Sequence, residues 1–463
     1  MFHHNLILNV DSYKASHYLQ YPPGSEYVSS YIECRGGEFP AAVFFGLQAF
    51  IQQYLLTPIQ RSDIDEAEAM LHAHGLPFHR AGWEHILQQH GGLLPLEISA
   101  VPEGTVVPLH NVMLQVVNTC VESFWLTSYI ETALVRAIWY PMTVATQSRA
   151  IKQTIARYLD DTADSRDGLP FKLHDFGGRG ASSLESAMLG GMAHLVNFSG
   201  TDTVSALVAA RRYYGAEMAG FSIPAAEHST MTAWGREREA DAYANMLDQF
   251  AGPGKVVAVV SDSYDLWHAI ENIWGGVLKE RVINSGGTLV VRPDSGDPKT
   301  IVTESLERLM RIFGSRVNSK GYRVLPDFIR VIQGDGVTRK TIPEILQAMK
   351  ERGQSAENIT FGMGGALLQK VDRDLLSFAM KASAIRIDGR WQDVYKNPVT
   401  GPEKKSKRGR LALVRDGNGS RDEVTTIKLE DLGARDNLLQ PVYRDGQLLQ
   451  ETDFDTVRAR AEL

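Results

Sequence analysis

Cysteine is nearly absent: the 463 residues hold two, Cys34 and Cys120. They make neither a disulfide framework nor a zinc-ligand spacing, and they suit a reducing, cytoplasmic setting. An excess of positive charge is missing as well. With 48 Lys and Arg against 55 Asp and Glu, the formal charge is −7, without the basic surplus of a nucleic-acid-binding protein. Long apolar runs are lacking, since stretches such as 256–260 are strand-length and far short of a membrane span. The opening Met-Phe-His-His-Asn has no basic n-region, and Asp11 and Lys14 interrupt any apolar core, so no signal peptide is expected. No repeat or low-complexity tract stands out beyond the basic stretch 404–410. The expectation is a soluble cytoplasmic protein that binds neither membrane nor nucleic acid. An anionic ligand would need a local basic pocket.

What is present is ordinary globular composition, 43% hydrophobic and 22% charged, in a chain long enough for two domains. Between about 170 and 365 a short apolar strand, a polar or Gly-rich turn and an amphipathic stretch recur. The strands are predicted at 171–174, 194–198, 221–223, 256–260, 288–292, 328–332 and 358–361. Ser182 with Glu185 matches a capping box, and Thr201 or Asp202 can cap the helix that runs toward Tyr214. Strand alternating with helix implies a parallel sheet, and about seven units suit an irregular (β/α) barrel over 151–374. The flanks, 1–150 and 375–463, mix helix with strand-like segments at 385–387 and 411–414, and read as one discontinuous α+β domain.

In such a barrel the C-terminal strand ends share one face, where active sites are built. The turns there carry the chemistry. Arg292-Pro-Asp294-Ser-Gly296 places a guanidinium beside a carboxylate, either a phosphate and ribose site or a structural pair that closes the turn. Gly362-Met-Gly364-Gly365 and Gly334-Asp335-Gly336 are either tight turns or backbone cradles for phosphate, with Asp335 a ribose or metal ligand. His228, in Ala-Ala-Glu227-His228-Ser229, is a structural histidine, or else a nucleophile or base oriented by a carboxylate, with Asp262 and Asp294 nearby. Glu227 and His228 are alternatively metal ligands, though no third ligand has diagnostic spacing. Phe176 either covers the rim or stacks on a flat heteroaromatic ring, with Arg179 at its edge. Asp202 is either a helix cap or an acceptor for a neutral amide that repels a carboxylate. The stretch 404–410 is a solvated turn or a basic wall for pyrophosphate or ATP.

The ordered segments Asp11-Ser-Tyr13-Lys-Ala-Ser-His17, Lys172-Leu-His-Asp-Phe176-Gly-Gly-Arg179-Gly, Ala226-Glu-His228-Ser-Thr-Met-Thr-Ala-Trp-Gly235, Arg292-Pro-Asp-Ser-Gly296, Val331-Ile-Gln-Gly-Asp-Gly336 and Leu367-Leu-Gln-Lys-Val-Asp-Arg373-Asp-Leu resemble those of the nicotinate and nicotinamide phosphoribosyltransferases, and among these the nicotinamide-using enzymes. The resemblance spans essentially the whole chain. It implies a type II phosphoribosyltransferase of NAD biosynthesis that uses nicotinamide, phosphoribosyl pyrophosphate and Mg²⁺, with coupled ATP hydrolysis. It also implies a homodimer with shared active sites. Nicotinamide would lie between Phe176 and the second copy's Tyr13, its carboxamide met by Arg179 and Asp202. Arg292, Asp294, Gly334, Asp335, Gly364 and Gly365 would hold the phosphoribose. Arg35, Arg373, Lys381, Lys396 and Lys404 would serve pyrophosphate or ATP. His228 would be phosphorylated, with Asp262 orienting it. The family pattern carries an aromatic residue where Gly178 stands. Rival readings are a nicotinate-using enzyme, which Asp202 would repel, a barrel phosphohydrolase, and a non-catalytic binding or signalling relative.

Overall fold

The computed structural model describes residues 5–401, 405–415 and 423–462. They form two compact units. One comprises residues up to Thr146, Arg212–Ala216 and Asp372 onward; the other comprises Gln147–Arg211 and Glu217–Val371. No described helix is long and apolar enough to cross a membrane.

The second unit is α/β and is built on a parallel half-barrel of six strands. These are β1 (Leu173–Asp175), β2 (Gly200–Thr201), β3 (Val256–Val260), β4 (Thr288–Arg292), β5 (Ile329–Gln333) and β6 (Ile359–Met363). Their order is β2-β1-β6-β5-β4-β3, and every pairing is parallel. Near-continuous Val and Ile runs such as Val256-Val-Ala-Val-Val suit strands buried on both faces. The crossover helices have the expected signals. Helix Pro298–Phe313 starts on Asp297, whose carboxylate accepts from the Thr300 backbone N–H at 3.0 Å, with Pro298 in its first turn. Such a cap contributes about 1 kcal/mol. Its stripe Val302, Leu306, Leu309 and Met310 is buried, and Gly314, with φ of 87°, ends it.

Three local expectations are corrected. The segment 194–198 is not a strand: helix Leu184–Leu195 runs through its start, and the fully buried His194 packs there, its Nδ1 2.6 Å from Ser148 Oγ. A short apolar run is ambiguous between strand and buried helix end, and burial decided for helix here. That helix is capped by Ser183, which accepts from Ser186 N at 3.0 Å, rather than by a Ser182–Glu185 box. The segment 221–223 adds no seventh ladder strand. Phe221 makes only an isolated parallel bridge to Gly200, and Ala225, just beyond the segment, makes another to Ala258.

The first unit carries a seven-stranded antiparallel sheet in the order Arg390–Asp393, Phe378–Ile387, Ser25–Cys34, Val112–Asn118, Leu96–Ala100, Gln440–Arg444, Gln447–Leu448. Ser25–Cys34 is buried along most of its length because it is paired on both sides, for example Ser29 with Ala384 and with Val117.

Candidate active site

Each strand of the half-barrel delivers a candidate site side chain or glycine at its C-terminal end, because the strands run the same way. Beneath these ends lies a cavity of about 340 Å³. His174, Phe176, Asp202, Ser222 and Arg292 line it above an apolar floor that includes Ala258, Val290 and Ile332.

His228 opens the short helix His228–Thr232, whose cap is Glu227. The Glu227 carboxylate accepts from Ser229 Oγ and from its own helix end, so it is committed to capping. The His228 imidazole reaches the other way. Its Nε2 lies 3.1 Å from Asp262 Oδ1, and its Nδ1 lies 3.9 Å from Asp294 Oδ2. Asp262 is itself fixed, since its Oδ2 accepts from Asp294 N at 3.0 Å and from Ser295 Oγ at 2.5 Å. A held carboxylate on one nitrogen leaves the other nitrogen of an exposed imidazole available for chemistry.

The hydrogen bonds of the Asp202 side chain go to the cavity wall and not to a helix end. Thr201 Oγ1 takes the Thr203 N–H at 2.9 Å, in the turn just before helix Val204–Tyr214. The Asp202 carboxylate accepts from His174 Nε2 at 2.8 Å and from Ser222 Oγ at 2.6 Å, both on Oδ1. Desolvation opposes its charge, but the hydrogen bond and charge of His174, with help from Ser222 and Arg292, outweigh it and hold the carboxyl below the ordinary range. Phe176 stands two residues after His174, on the same face, with ring centroids 5.2 Å apart. Its ring lies over Gly362, where a Cβ would come within 1.9 Å of Phe176 Cε2. Only glycine admits an aromatic plane there. Asp175, on the opposite face and fully buried, ties the two turns: its Oδ1 accepts from Gly177 N at 2.7 Å and its Oδ2 from Thr201 Oγ1 at 3.1 Å.

Arg292 reaches Asp294 only loosely, Nη2 to Oδ2 at 3.7 Å, and its Nε is buried with no hydrogen-bond partner. Buried donors of this kind are normally satisfied, so the pair is a weak structural clamp, and the guanidinium keeps an unused donor beside the cavity it lines. Gln333 donates to Asp335 O at 2.8 Å and so shapes the Gly334–Asp335 turn, leaving Asp335 exposed. Gly364 caps helix Gly365–Leu368, whose first N–H groups have no intrahelical acceptor. A Cβ on Gly365 would meet nothing within 4 Å, so that backbone is open to a ligand. Arg179 sits exposed on the turn Gly178–Gly180 and does not line the cavity. At Gly178 a Cβ would lie 2.9 Å from Thr203 Oγ1, so the smaller residue matches its surroundings.

The remaining candidates belong to the first unit. Tyr13 is 58% exposed on the helical turn Ser12–Leu19. Arg35, Arg373 and Lys381 share one electropositive neighbourhood with Lys14. Burial depresses the Lys381 ammonium most, Glu131 opposes this, and those three cations add to it. Lys396 is placed by its backbone, which exchanges hydrogen bonds with Ser406. Lys404 lies outside the described residues.

Sequence reasoning assigned no role to His174, Ser222 or Asp175. His174 had a legible signal, its two-residue spacing from Phe176. Ser222 had none, because only the fold brings it to Asp202.

Against known proteins, the model of the nicotinate phosphoribosyltransferase (NAPRTase) family matches residues 171–447, and that of the nicotinamide phosphoribosyltransferase N-terminal domain matches residues 5–98. A nicotinamide phosphoribosyltransferase of Xanthomonas campestris pv. campestris is 54% identical over 99% of this chain and 98% of its own. One from Acinetobacter baylyi is 32% identical over 99% and 97%. In structure, human nicotinic acid phosphoribosyltransferase has a similar fold, with a TM-score of 0.53 at 15% identity over 98% of this chain and 92% of that one.

Proposed function

The chain belongs to the nicotinate phosphoribosyltransferase family, and from that premise we propose that it is a nicotinamide-using enzyme, joining nicotinamide to 5-phosphoribosyl 1-pyrophosphate to give nicotinamide mononucleotide and pyrophosphate. The observation that carries the choice of base is Asp202, held in its charged form by His174 and Ser222 on the cavity wall that also bears Phe176. The amide of nicotinamide donates to such a carboxylate, whereas nicotinate brings a second negative charge into a partly desolvated site.

The base stacks on Phe176, with Tyr13 of a second copy on its other face and Arg179 at the carboxamide. Held this way, the ring nitrogen attacks C1 of the ribose. The C1–O bond to pyrophosphate breaks as the N–C1 bond forms, through an oxocarbenium-like state, and the electron pair leaves with pyrophosphate. Arg292, Asp294, the Gly334–Asp335 turn and the Gly364–Gly365 backbone hold the ribose and its 5-phosphate. Arg35, Arg373, Lys381, Lys396 and Lys404 receive pyrophosphate or ATP. Mg²⁺ would be held by the loosely paired Asp294 and the exposed Asp335, whose carboxylates are hard oxygen donors of the kind it takes. When bound, Mg²⁺ supplies charge neutralisation of the pyrophosphate.

ATP enters at His228. With Nε2 turned to Asp262, Nδ1 keeps its lone pair and attacks the γ-phosphorus; the bond to ADP breaks and ADP departs with the pair. Hydrolysis of the phosphohistidine then couples ATP to nucleotide synthesis. We read the sheet as an irregular barrel whose seventh position is the bridge-forming segment around Phe221 and Ala225, beside a discontinuous α+β domain from both termini. The enzyme acts as a cytoplasmic homodimer with shared sites, and its two free cysteines suit that compartment.

The test is incubation of the full chain with labelled nicotinamide or nicotinate, phosphoribosyl pyrophosphate and Mg²⁺, with and without ATP. Nicotinamide mononucleotide is expected in preference to the acid nucleotide, and faster with ATP. Preference for nicotinate would overturn the assignment of Asp202, and no nucleotide from either base would overturn the transferase reading.

A further inference from the structure

We propose that His85, His90 and Cys120, completed by Glu122, form a binding site for a borderline-soft divalent cation such as zinc in the first unit. Linear spacing hides this set, because its members sit on two separate elements. Helix Arg80–Gln89 carries His85 and ends at His90, whose φ of −118° and ψ of 11° take it off the helix. Gly91 and Gly92 follow with φ of 61° and 83°. On a continuous helix, residues five apart point about 140° from one another. Leaving the helix lets His90 turn back, so that its ring centroid lies 5.6 Å from that of His85. Cys120 leads the turn Val121–Ser123, after strand Val112–Asn118.

One ligand atom from each of His85, His90 and Cys120 lies within 4.8 Å of the others, and all three residues are half-buried. Glu122, on the same turn as Cys120, places Oε2 3.8 Å from His85 Nε2. Zinc bonds of 2.0–2.3 Å at tetrahedral angles put ligand atoms about 3.3–3.8 Å apart. Side-chain rotation that moves the ligand atoms by about 1 Å therefore closes a four-ligand shell. Two imidazoles, a thiolate and a carboxylate select zinc or cobalt(II) over Mg²⁺, which prefers oxygen alone. This site is thus chemically separate from the carboxylates at the strand ends. A bound cation would pin the end of helix Arg80–Gln89 to the turn at Cys120.

The chain itself supplies a specific readout, because its only other cysteine, Cys34, is buried. The experiment titrates Co²⁺ into the full chain with Mg²⁺ in excess. One Co²⁺ should bind per chain, with a sulfur-to-cobalt charge-transfer absorption that Zn²⁺ abolishes by displacement. Cys120→Ser should remove that absorption and weaken Zn²⁺ binding by at least about 100-fold, the upper end for loss of an outer-shell partner alone. Cys34→Ser should keep both, and nucleotide synthesis by Cys120→Ser should be unchanged. Absence of the absorption at one equivalent reduces the cluster to a histidine–carboxylate pair, and its survival in Cys120→Ser places the cobalt on another sulfur; either result overturns the proposal. Should Cys120→Ser fail to fold, His85→Gln is read by the same spectrum, where a full-strength, unshifted absorption is the overturning result.

Discussion

The strand ends carry two histidine–carboxylate corners, and they are built in opposite senses. At one, the Asp262 side chain is 4% exposed and His228 45%. At the other, His174 is 13% exposed and Asp202 48%. In each pair the more buried member is the one that holds, and the more exposed member is the one it aims; Asp202 lies on the cavity wall. Asp262 is braced by Asp294 N and Ser295 Oγ and aims an imidazole. His174, with Ser222, aims a carboxylate. The same two residue types thus give an exposed nitrogen in one corner and a held carboxylate in the other. The function proposed above uses the first for phosphate and the second for base.

The sharpest way to break the comparison is His228→Ala. Acid-labile, base-stable label from γ-labelled ATP should vanish and ATP stimulation be lost, while slow ATP-independent synthesis remains, because the base corner is untouched. Label that persists in the variant removes His228 from the mechanism. Next in size is Asp202→Ser. Loss of a charge-assisted hydrogen bond costs about 1.5–3 kcal/mol, so the nicotinamide-to-nicotinate ratio of kcat/KM should fall about 10- to 150-fold. Labelling of His228 should stay normal. An unchanged ratio would show that Asp202 does not read the base.

Gly362→Ala asks whether the corners are separable. Its Cβ would sit 1.9 Å from Phe176 Cε2, so the ring must move. Such overpacking costs about 1–3 kcal/mol. Nicotinamide KM should rise by at least about fivefold, the low end of that range, with phosphohistidine formation unaffected. Equal damage to both activities would mean the corners are mechanically coupled. The smallest effect belongs to His174→Leu, which leaves Asp202 oriented by Ser222 alone. Loss of one ordinary hydrogen bond, about 0.5–1.5 kcal/mol, predicts a drop in the base ratio of about 2- to 12-fold. If His174→Gln, which restores a donor, fails to recover the ratio, the histidine does not act through Asp202.

The sequence made the barrel rhythm and most strand-end turns legible, because buried parallel strands announce themselves as Val- and Ile-rich runs and their turns as Gly, Asp and Pro. Where two structures share one signal, it misled. The run ending at Phe198 is apolar enough for a strand, yet packing of His194 against Ser148 kept its first part helical. Asp202 carried a cap signal, yet its carboxylate bonds His174 and Ser222 on the cavity wall. Residues that act through contacts far along the chain left no local mark. Ser222 meets Asp202 across 20 positions, and Ser29 pairs with Ala384 across the first unit's sheet. Such pairings are set by tertiary geometry, which no window of neighbouring residues encodes.

The segment around Phe221 meets both edges of the half-barrel through single bridges rather than ladders. In terms of amide exchange, that seam is expected to be the least protected part of the sheet. The N–H groups of Thr201, Phe221, Ala226 and Ala258, each bonded across it, should take up deuterium before those between β4 and β5. Ser222 rides on the same seam. Each brief opening would therefore loosen one of the two donors to Asp202, and substrate that fills the cavity would slow the opening and the deuterium uptake together.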